Sequence, residues 1–385
     1  MNIENGLIEG ARALQPTLRQ ASAQIEHTRR LGDDVFAAIY ESKAFNLQLS
    51  SVYGGGGADP LMHLEVIETL SAADASSGWC AMVGSESSGC INAFLEPAVV
   101  REMLVDIPSA VAALTVVGSG QALESPEGFS VSGHWRFASG CRHARWLGGL
   151  CTVHDKAGPR QHDNGKPIMR MIFVPVEQAT LIDTWHVSGL RGTASDDFKL
   201  DGVFVPTRRT FDLFGPRRDP APVWRLPVSL RFAMSKAAAT LGIARGAMDA
   251  VMPLLTRPSF ASTGLAREEP RVQLRFAEAQ AAIEGGRAYL YQSVARVWAL
   301  VQGGDSLSIE AVAGVRLAIV FAARQAQIAM NLVQELGGTA GVLEPMLDRA
   351  VRDLNVARHH LQLQPHVMED AGRVLLGMLP RNPFF

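Results

Sequence analysis

Between residues 108 and 217 the hydrophobic period of this chain changes from helical to strand-like and then back, an order that few folds accept. Six short β-rich stretches, AVAALTVVG, GFSVSGHWRF, WLGGLCTVH, MRMIFVPV, ATLIDTW and DFKLDGVFVP, lie among Pro-Glu-Gly, Gly-Pro and Asp-Asn-Gly turn signals. They predict a small, barrel-like β domain in which FKLDGVFV turns as a hairpin at Asp201-Gly202. Residues 1–107 read helical, with a break and N-cap at Gly32-Asp33-Asp34 and a loop at the four glycines of SSVYGGGGADPLM. Asp59 can cap a helix that begins at Pro60 and runs through LMHLEVIETLSAADASSGWCAMVGS. Residues 218–385 carry four long amphipathic helices. The second runs past Gly285-Gly286, the third stops at Gly337-Gly338, and the last breaks near Pro365. The expected class is α+β, in three domains: 1–107 helical, 108–217 β, and 218–385 a four-helix bundle whose Ala-rich faces suit an oligomer.

Charge excludes some functions. A net charge of −2 gives no footing on nucleic acid or on an anionic membrane surface. The start, MNIENGLIEG, lacks the basic patch and apolar run of a signal peptide. No apolar stretch reads as the roughly 20 residues that span a bilayer, so a cytoplasmic location is expected. Cys80, Cys90, Cys141 and Cys151 fit no zinc or CxxC spacing and read as buried small hydrophobes, with no metal site.

One run stands out: HWRFASGCRHARW, residues 134–146, packs aromatic, arginine and histidine side chains around a Ser-Gly pair between two strands. It is either an aromatic-rich hairpin or the resting place of a flat conjugated group. On residue type alone Ser139 reads as a turn serine, Trp135 as core packing and His143 as an exposed residue.

Four segments in order resemble the acyl-CoA dehydrogenase fold across nearly the whole chain: ALTVVGSGQA, VSGHWRFASG, VSGLRGTASDDFKLDGVFVP, and VQELGGTAG followed by RAVRD. The FxSG ending, the missing acidic EP of the first segment and the ADASSGW stretch are similar to the flavin-dependent monooxygenase branch. That branch comprises oxygenase components of two-component systems, such as the 4-hydroxyphenylacetate, steroid-phenol and dibenzothiophene oxygenases. The resemblance implies reduced FMN or FAD from a separate NAD(P)H-flavin reductase, O2 activated as a flavin C4a-hydroperoxide, and a small aromatic or heteroaromatic substrate. A homotetramer is implied too. It places Phe137 beside the flavin ring and Ser139 near flavin N5. Thr115 and the Gly118-Ser119-Gly120 turn fall on the flavin strand, Arg267 near the pyrophosphate, and Gln334, Gly337 and Gly338 toward a neighbouring subunit's flavin. Trp79, Ser88, His186 and Arg191 are expected along the substrate cavity. GSGQA lacks a Rossmann spacing, so no nicotinamide site is indicated.

The rival on the same fold, an FAD-dependent acyl-CoA dehydrogenase or oxidase, needs a carboxylate to remove an α-proton. The two positions where that superfamily places it are Leu361 and Phe232 here, and neither can take a proton. A flavoprotein that binds nucleic acid would need a basic stripe, which the charge balance lacks. The monooxygenases' own histidine after SGW is absent; Glu86, Ser87 or Ser88 occupies that neighbourhood. In the last helical region His359 and His360 point about 100° apart, so one faces inward. The expected catalytic set is Ser139, His359, His366 and Glu86.

Overall fold

The computed structural model describes residues 3–259, 263–382 and 385. The first helical region forms α1 (Ile3–Thr28), α2 (Asp33–Glu41), α3 (Pro60–Ala73), α4 (Ala75–Phe94) and α5 (Pro97–Leu104). Asp59 caps α3 as expected, accepting from Met62 N at 2.8 Å. The stretch read as one helix is two, because Asp74 takes an extended conformation and its carboxylate caps α4 through Ser77 N at 2.7 Å. Every residue of α4 is buried. It packs against α3, α6 and the β domain, which explains a sequence with no polar stripe.

The strands are β1 (Ala112–Ser125), β2 (Gly128–Trp135), β3 (Trp146–Asp155), β4 (Gly158–Pro159), β5 (Met169–Pro175), β6 (Thr180–Ile182), β7 (Asp197–Pro206) and β8 (Thr210–Phe211). They form one sheet in the order β6-β7-β2-β1-β3-β5-β8, with β4 on β3. β1 runs antiparallel to β2 on one side and parallel to β3 on the other. The run 134–146 is therefore no hairpin: its residues 136–145 cross the end of β1. Nor do Asp201-Gly202 turn a hairpin. β7 continues along β2 on both sides of them, and the extra residue is absorbed as a bulge with Gly202 at φ 63°. Trp135 lies fully inside the sheet's core, stacked on Phe198 at 4.9 Å and donating to Leu150 O at 2.9 Å. A Cβ on Gly120, Gly133 or Gly149 would lie within 2.3–2.7 Å of its ring, so these glycines make room for the indole.

The bundle comprises α6 (Val228–Leu255), α7 (Pro270–Gly303), α8 (Ile309–Val342), α9 (Pro345–Ala357) and α10 (Pro365–Leu375). α6 is long and apolar enough to cross a bilayer, contrary to the reading that no stretch is. It lies inside the bundle, packed on α3, α8 and α9 and carrying buried Arg231 and Lys236, which marks a core helix. Gly337-Gly338 does not stop α8. Gly338 (φ 49°, ψ −145°) kinks it, and the helix goes on to Val342. α3 and α6 approach closely: a Cβ on Gly242 would sit 2.2 Å from Glu68 O, and one on Gly246 2.3 Å from Ala72 O.

The loop from Val187 to Ser195 is tied to α9 by Leu190 N, which donates to the buried Asp353 Oδ1 at 2.5 Å. Burial, with the charges of Asp74 and Glu26 added, pushes the Asp353 carboxyl up to about 7. A raised carboxyl pKa means the native state holds the proton that the unfolded chain releases near pH 4, so stability falls as pH rises from about 4 to about 7. Asp353→Asn keeps the acceptor and removes the titration. Its melting temperature at pH 8 is expected roughly 2–5 °C above the parent's, with the gap closing toward pH 4. Calorimetry at both pH values reads this, and a constant gap refutes it.

Candidate active site where the three domains meet

One polar chain joins the N-terminal and β domains. Trp79 on α4 donates its indole N–H to Ser139 Oγ at 3.2 Å. Ser139 Oγ meets Ser195 Oγ at 2.6 Å, Ser195 Oγ meets Thr193 Oγ1 at 2.7 Å, and Thr193 donates to Leu190 O at 2.8 Å. An indole N–H can only donate and a carbonyl can only accept, so the two ends fix every hydroxyl between them. Ser139 gives its hydrogen to Ser195 and Ser195 gives its own to Thr193. What Ser139 retains is a lone pair.

Beside Ser139 the β domain leaves a shelf. β1 pairs with β3 through Thr115 and Gly149, then resumes at Gly120 and Cys151, so residues 116–119 arch out opposite one partner residue. Thr115 holds the arch, donating to Arg136 O at 2.8 Å and accepting from Val117 N at 3.1 Å. Arg136 N donates to Val117 O at 2.8 Å. The arch and its neighbour expose apolar surface: Val116 is 45%, Val117 36% and Phe137 50% accessible. Phe137 sits at φ 61°, a conformation costly for an aromatic residue and typical of binding sites, with its ring edge-on to Trp185 at 6.1 Å. No side chain could stand at Gly118, where a Cβ would lie 2.4 Å from His134 O. A flat ring lying on Val116, Val117 and Phe137, with its edge toward Ser139, fits this surface.

The C-terminal region contributes a histidine, and it is His360. Its ring meets Trp79 edge-on at 5.8 Å. His360 Nδ1 accepts from Gln362 N at 3.3 Å, which leaves the ring proton on Nε2. Burial, then the Lys236 charge, pushes its pKa down to about 3, so it stays neutral. His359, expected to face inward, is exposed. His366 is half-buried on the first turn of α10, which packs on α8.

Further along α4, Glu86 is buried and committed. Its oxygens accept from Lys236 Nζ at 2.7 and 2.5 Å and from the Ser235 hydroxyl. Burial pushes Glu86 up and Lys236 down, while each holds the other charged. Glu86 is a structural ion-pair partner, not a free base. Ser88 is likewise closed off, bonded to Ser85 O at 3.1 Å and Phe45 O at 3.3 Å.

The remaining expected residues scatter. Arg191 holds its own loop through Val187 O at 3.2 Å, and His186 is an exposed neighbour of Arg29 and Asp183. Arg267 is exposed on the short turn Ala266–Glu268. Gln334 and Gly338 are exposed on α8, and Gly337 packs under Leu347. Among the described residues no hydrogen bond joins any of these to the Ser139 chain. His143 is half-buried between Phe36 and Phe45, at 5.4 and 5.8 Å, not exposed as its arginine neighbours suggested. Burial pushes its pKa down to about 4. All four cysteines are buried free thiols. Lys236, Arg231, Thr193 and Ser195 escaped sequence reading. A lysine inside the apolar run FAMSKAAATLG was the available signal, since a buried ammonium requires a carboxylate nearby.

Comparison with known proteins agrees with this architecture. The acyl-CoA dehydrogenase N-terminal domain model matches residues 10–109 and the C-terminal domain model residues 234–365. The chain is 30% identical over 372 residues to a flavin-dependent monooxygenase, oxygenase subunit HsaA, of Rhodococcus jostii strain RHA1, covering 92% of this chain and 93% of that one. It is 30% identical over 366 residues to an indole-3-acetate monooxygenase of Pseudomonas putida, covering 94% and 91%. The crystal structure of 3-HSA hydroxylase from Rhodococcus sp. RHA1 superposes with a TM-score of 0.89 at 26% identity, covering 99% of each chain. The helical, β and helical domains, the arched β1 and these likenesses lead to one assignment: the chain belongs to the flavin-dependent monooxygenases of the acyl-CoA dehydrogenase fold, as an oxygenase component working with reduced flavin, O2 and a small-molecule substrate.

Proposed function

We propose that the ring of reduced flavin rests on Val116, Val117 and Phe137 with its N5 edge at Ser139, and that a small aromatic or heteroaromatic substrate is oxygenated in the space bounded by Trp79, Ser139 and His360. Reduced flavin supplies the electrons that activate O2. The chain's own residues bind, orient and keep water out. The observation that carries this reading is the fixed direction of the Trp79–Ser139–Ser195–Thr193 chain. Reduced flavin has a hydrogen on N5 and oxidised flavin a bare lone pair. Ser139, with its hydrogen committed to Ser195, can accept from the first and has nothing to offer the second. His360, neutral with its proton on Nε2, serves as a hydrogen-bond donor toward substrate or oxygen, not as a base.

Ser139→Ala is expected to weaken binding of photoreduced FMN roughly tenfold and to leave oxidised FMN within about twofold. Ser195→Ala frees the Ser139 hydrogen and is expected to tighten oxidised FMN. Anaerobic titration with each redox form reads both effects. An unchanged ratio of the two affinities in Ser139→Ala removes Ser139 from the flavin edge.

The aromatic substrate class is supported by the likeness to the indole-3-acetate monooxygenase. We also place the end of α8 against a second copy in a homotetramer. Its Val342 and Leu343 stand 73% and 80% exposed just past the Gly338 kink, an apolar end that a second copy would cover. Sedimentation of the purified protein reads the assembly. The free buried thiols suit a cytoplasmic location and a partner flavin reductase there.

A further inference from the structure

Both ends of the hydrogen-bond chain at Ser139 are held from behind, each by a buried aspartate. Trp79, where the chain starts, opens the second turn of α4, and Asp74 caps that helix through Ser77 N at 2.7 Å. Leu190, whose carbonyl ends the chain, donates its N–H to Asp353 Oδ1 at 2.5 Å. The loop that carries Leu190, Thr193 and Ser195 has little hold of its own. Leu190 and Ala194 sit at φ 51° and 44°, a conformation that persists only where the surroundings impose it. The loop lies directly on α9, since a Cβ on Gly189 would be 2.1 Å from Arg352 O.

The two aspartates face one space. Asp74 and Asp353 are both buried and both line a cavity of about 30 Å³, room for a bridging water. Ser22, Ser71 and Arg349 are the other polar residues of its wall, and the buried Ser71 hydroxyl has no partner. The charges around it come from three elements. α1 brings Glu26; α9 brings Asp348, Arg349 and Arg352; the loop brings Arg191. α6 adds only Ile243 and Gly246 to the wall. Arg349 is bound to Glu26 and Ser22, and Arg352 to Glu26, Asp348 and Ser188 O. Arg191 is bound to the Glu26 and Val187 carbonyls. No cation is left to pair with the aspartates, and two carboxylates on one closed cavity disfavour each other's charge. Burial pushes both carboxyls up, and the Asp74 charge helps to carry Asp353 to about 7.

We propose that Asp74 and Asp353 hold one proton between them and, as positioning residues, make the Trp79–Ser139 contact depend on it. With the proton in place, α4 and α9 stay together and Leu190 keeps its carbonyl on Thr193. Without it, two like charges face each other across the cavity, the loop is pushed from α4, and the chain slackens at Ser139. A raised carboxyl is protonated below its midpoint, so the contact is complete on the acid side of neutrality and weakens on the alkaline side. The consequence for flavin rests on the reading of Ser139 given above.

The test is fluorine NMR of the flavin-free full chain labelled with fluorotryptophan, with the Trp79 line identified by its loss in Trp79→Phe. In the parent protein that line is expected to shift with pH about a midpoint near 7. Asp74→Asn and Asp353→Asn each keep an acceptor for the N–H they hold. Each is expected to move the midpoint about one pH unit lower, because the remaining carboxyl has lost its neighbour's charge. The double variant is expected to be flat, and either single variant suffices should the other fail to fold. A merely structural role would give an offset that does not vary with pH. A Trp79 line that does not titrate in the parent protein, or one that titrates at the same midpoint in the variants, overturns the proposal. Affinity for photoreduced FMN separates this inference from the flavin reading. The double variant is expected to equal the parent near roughly pH 6 and to bind about threefold tighter near roughly pH 8.5. Titration of the flavin itself is common to both proteins and cancels in the ratio. A Trp79 line that titrates as described with a ratio of one throughout upholds the proton pair and counts against the flavin edge at Ser139.

Discussion

Glu86→Gln is expected to destabilise the protein by about 3–5 kcal/mol, because it leaves Lys236 charged and buried with no carboxylate to hold it. Lys236→Met is expected to cost less. Glu86 then still feels the Arg231 charge and keeps the Ser235 hydroxyl, whereas without Glu86 the buried Lys236 ammonium loses its ion-pair partner. Combining Glu86→Gln with Lys236→Met removes both charges and is expected to recover most of the loss. Urea denaturation of the three variants measures the coupling. A value above 2 kcal/mol is expected, and one near zero means that the pair is not held as described.

Gly242→Val is the second large effect. The Gly242 Cα faces the Glu68 carbonyl so closely that even a methyl group would overlap it, and Gly246 repeats the contact one turn on against Ala72 O. Backbone cannot rotate aside as a flexible side chain can, so α3 and α6 would have to separate. Overpacking of this kind costs typically 1–3 kcal/mol, and a β-branched side chain against backbone belongs at or above the upper end. Separation would also disturb the reach of Arg287 and Tyr291 on α7 to Glu68 Oε2, now 3.0 and 2.7 Å. Gly285→Ala, at a position with nothing within 4 Å, is the matched control and is expected to be near neutral or stabilising. Equal melting temperatures for Gly242→Val and Gly285→Ala would refute the close crossing.

Much of the fold was legible because it rests on period. The six β-rich stretches became strands, and α6 and α7 began and ended close to where apolar spacing put them, while α8 ran on past Gly337-Gly338. Errors came where one residue decides between two backbone paths. Asp74 reads as a helical residue until its carboxylate is seen to cap α4; Gly202 reads as a turn until β7 is seen to continue along β2. Neither choice shows in hydrophobic spacing. The site divided in a similar way. A resemblance confined to consecutive residues named Ser139, Phe137 and Trp79, and the fold brings Trp79 and Ser139 into hydrogen-bonding contact. The ion pair of Glu86 and Lys236, 150 residues apart, was not, since which buried charges meet is settled by the packing of α4 on α6. His360 was passed over for His359 because a turn follows α9, and the direction of a side chain at a helix end depends on that turn.

The crossing of β1 by residues 136–145 has a consequence for how this family could diversify. Its two ends are fixed to strands on either side of β1, about 10 Å apart by the spacing of neighbouring strands. Along the way it must position Phe137, Ser139 and the buried Cys141. Removing a residue would drag one of these out of place, and adding one would lift the strap from the sheet. Variation here is therefore expected as changed letters at constant length, with insertions and deletions expected in outlying turns such as the one around Gly165.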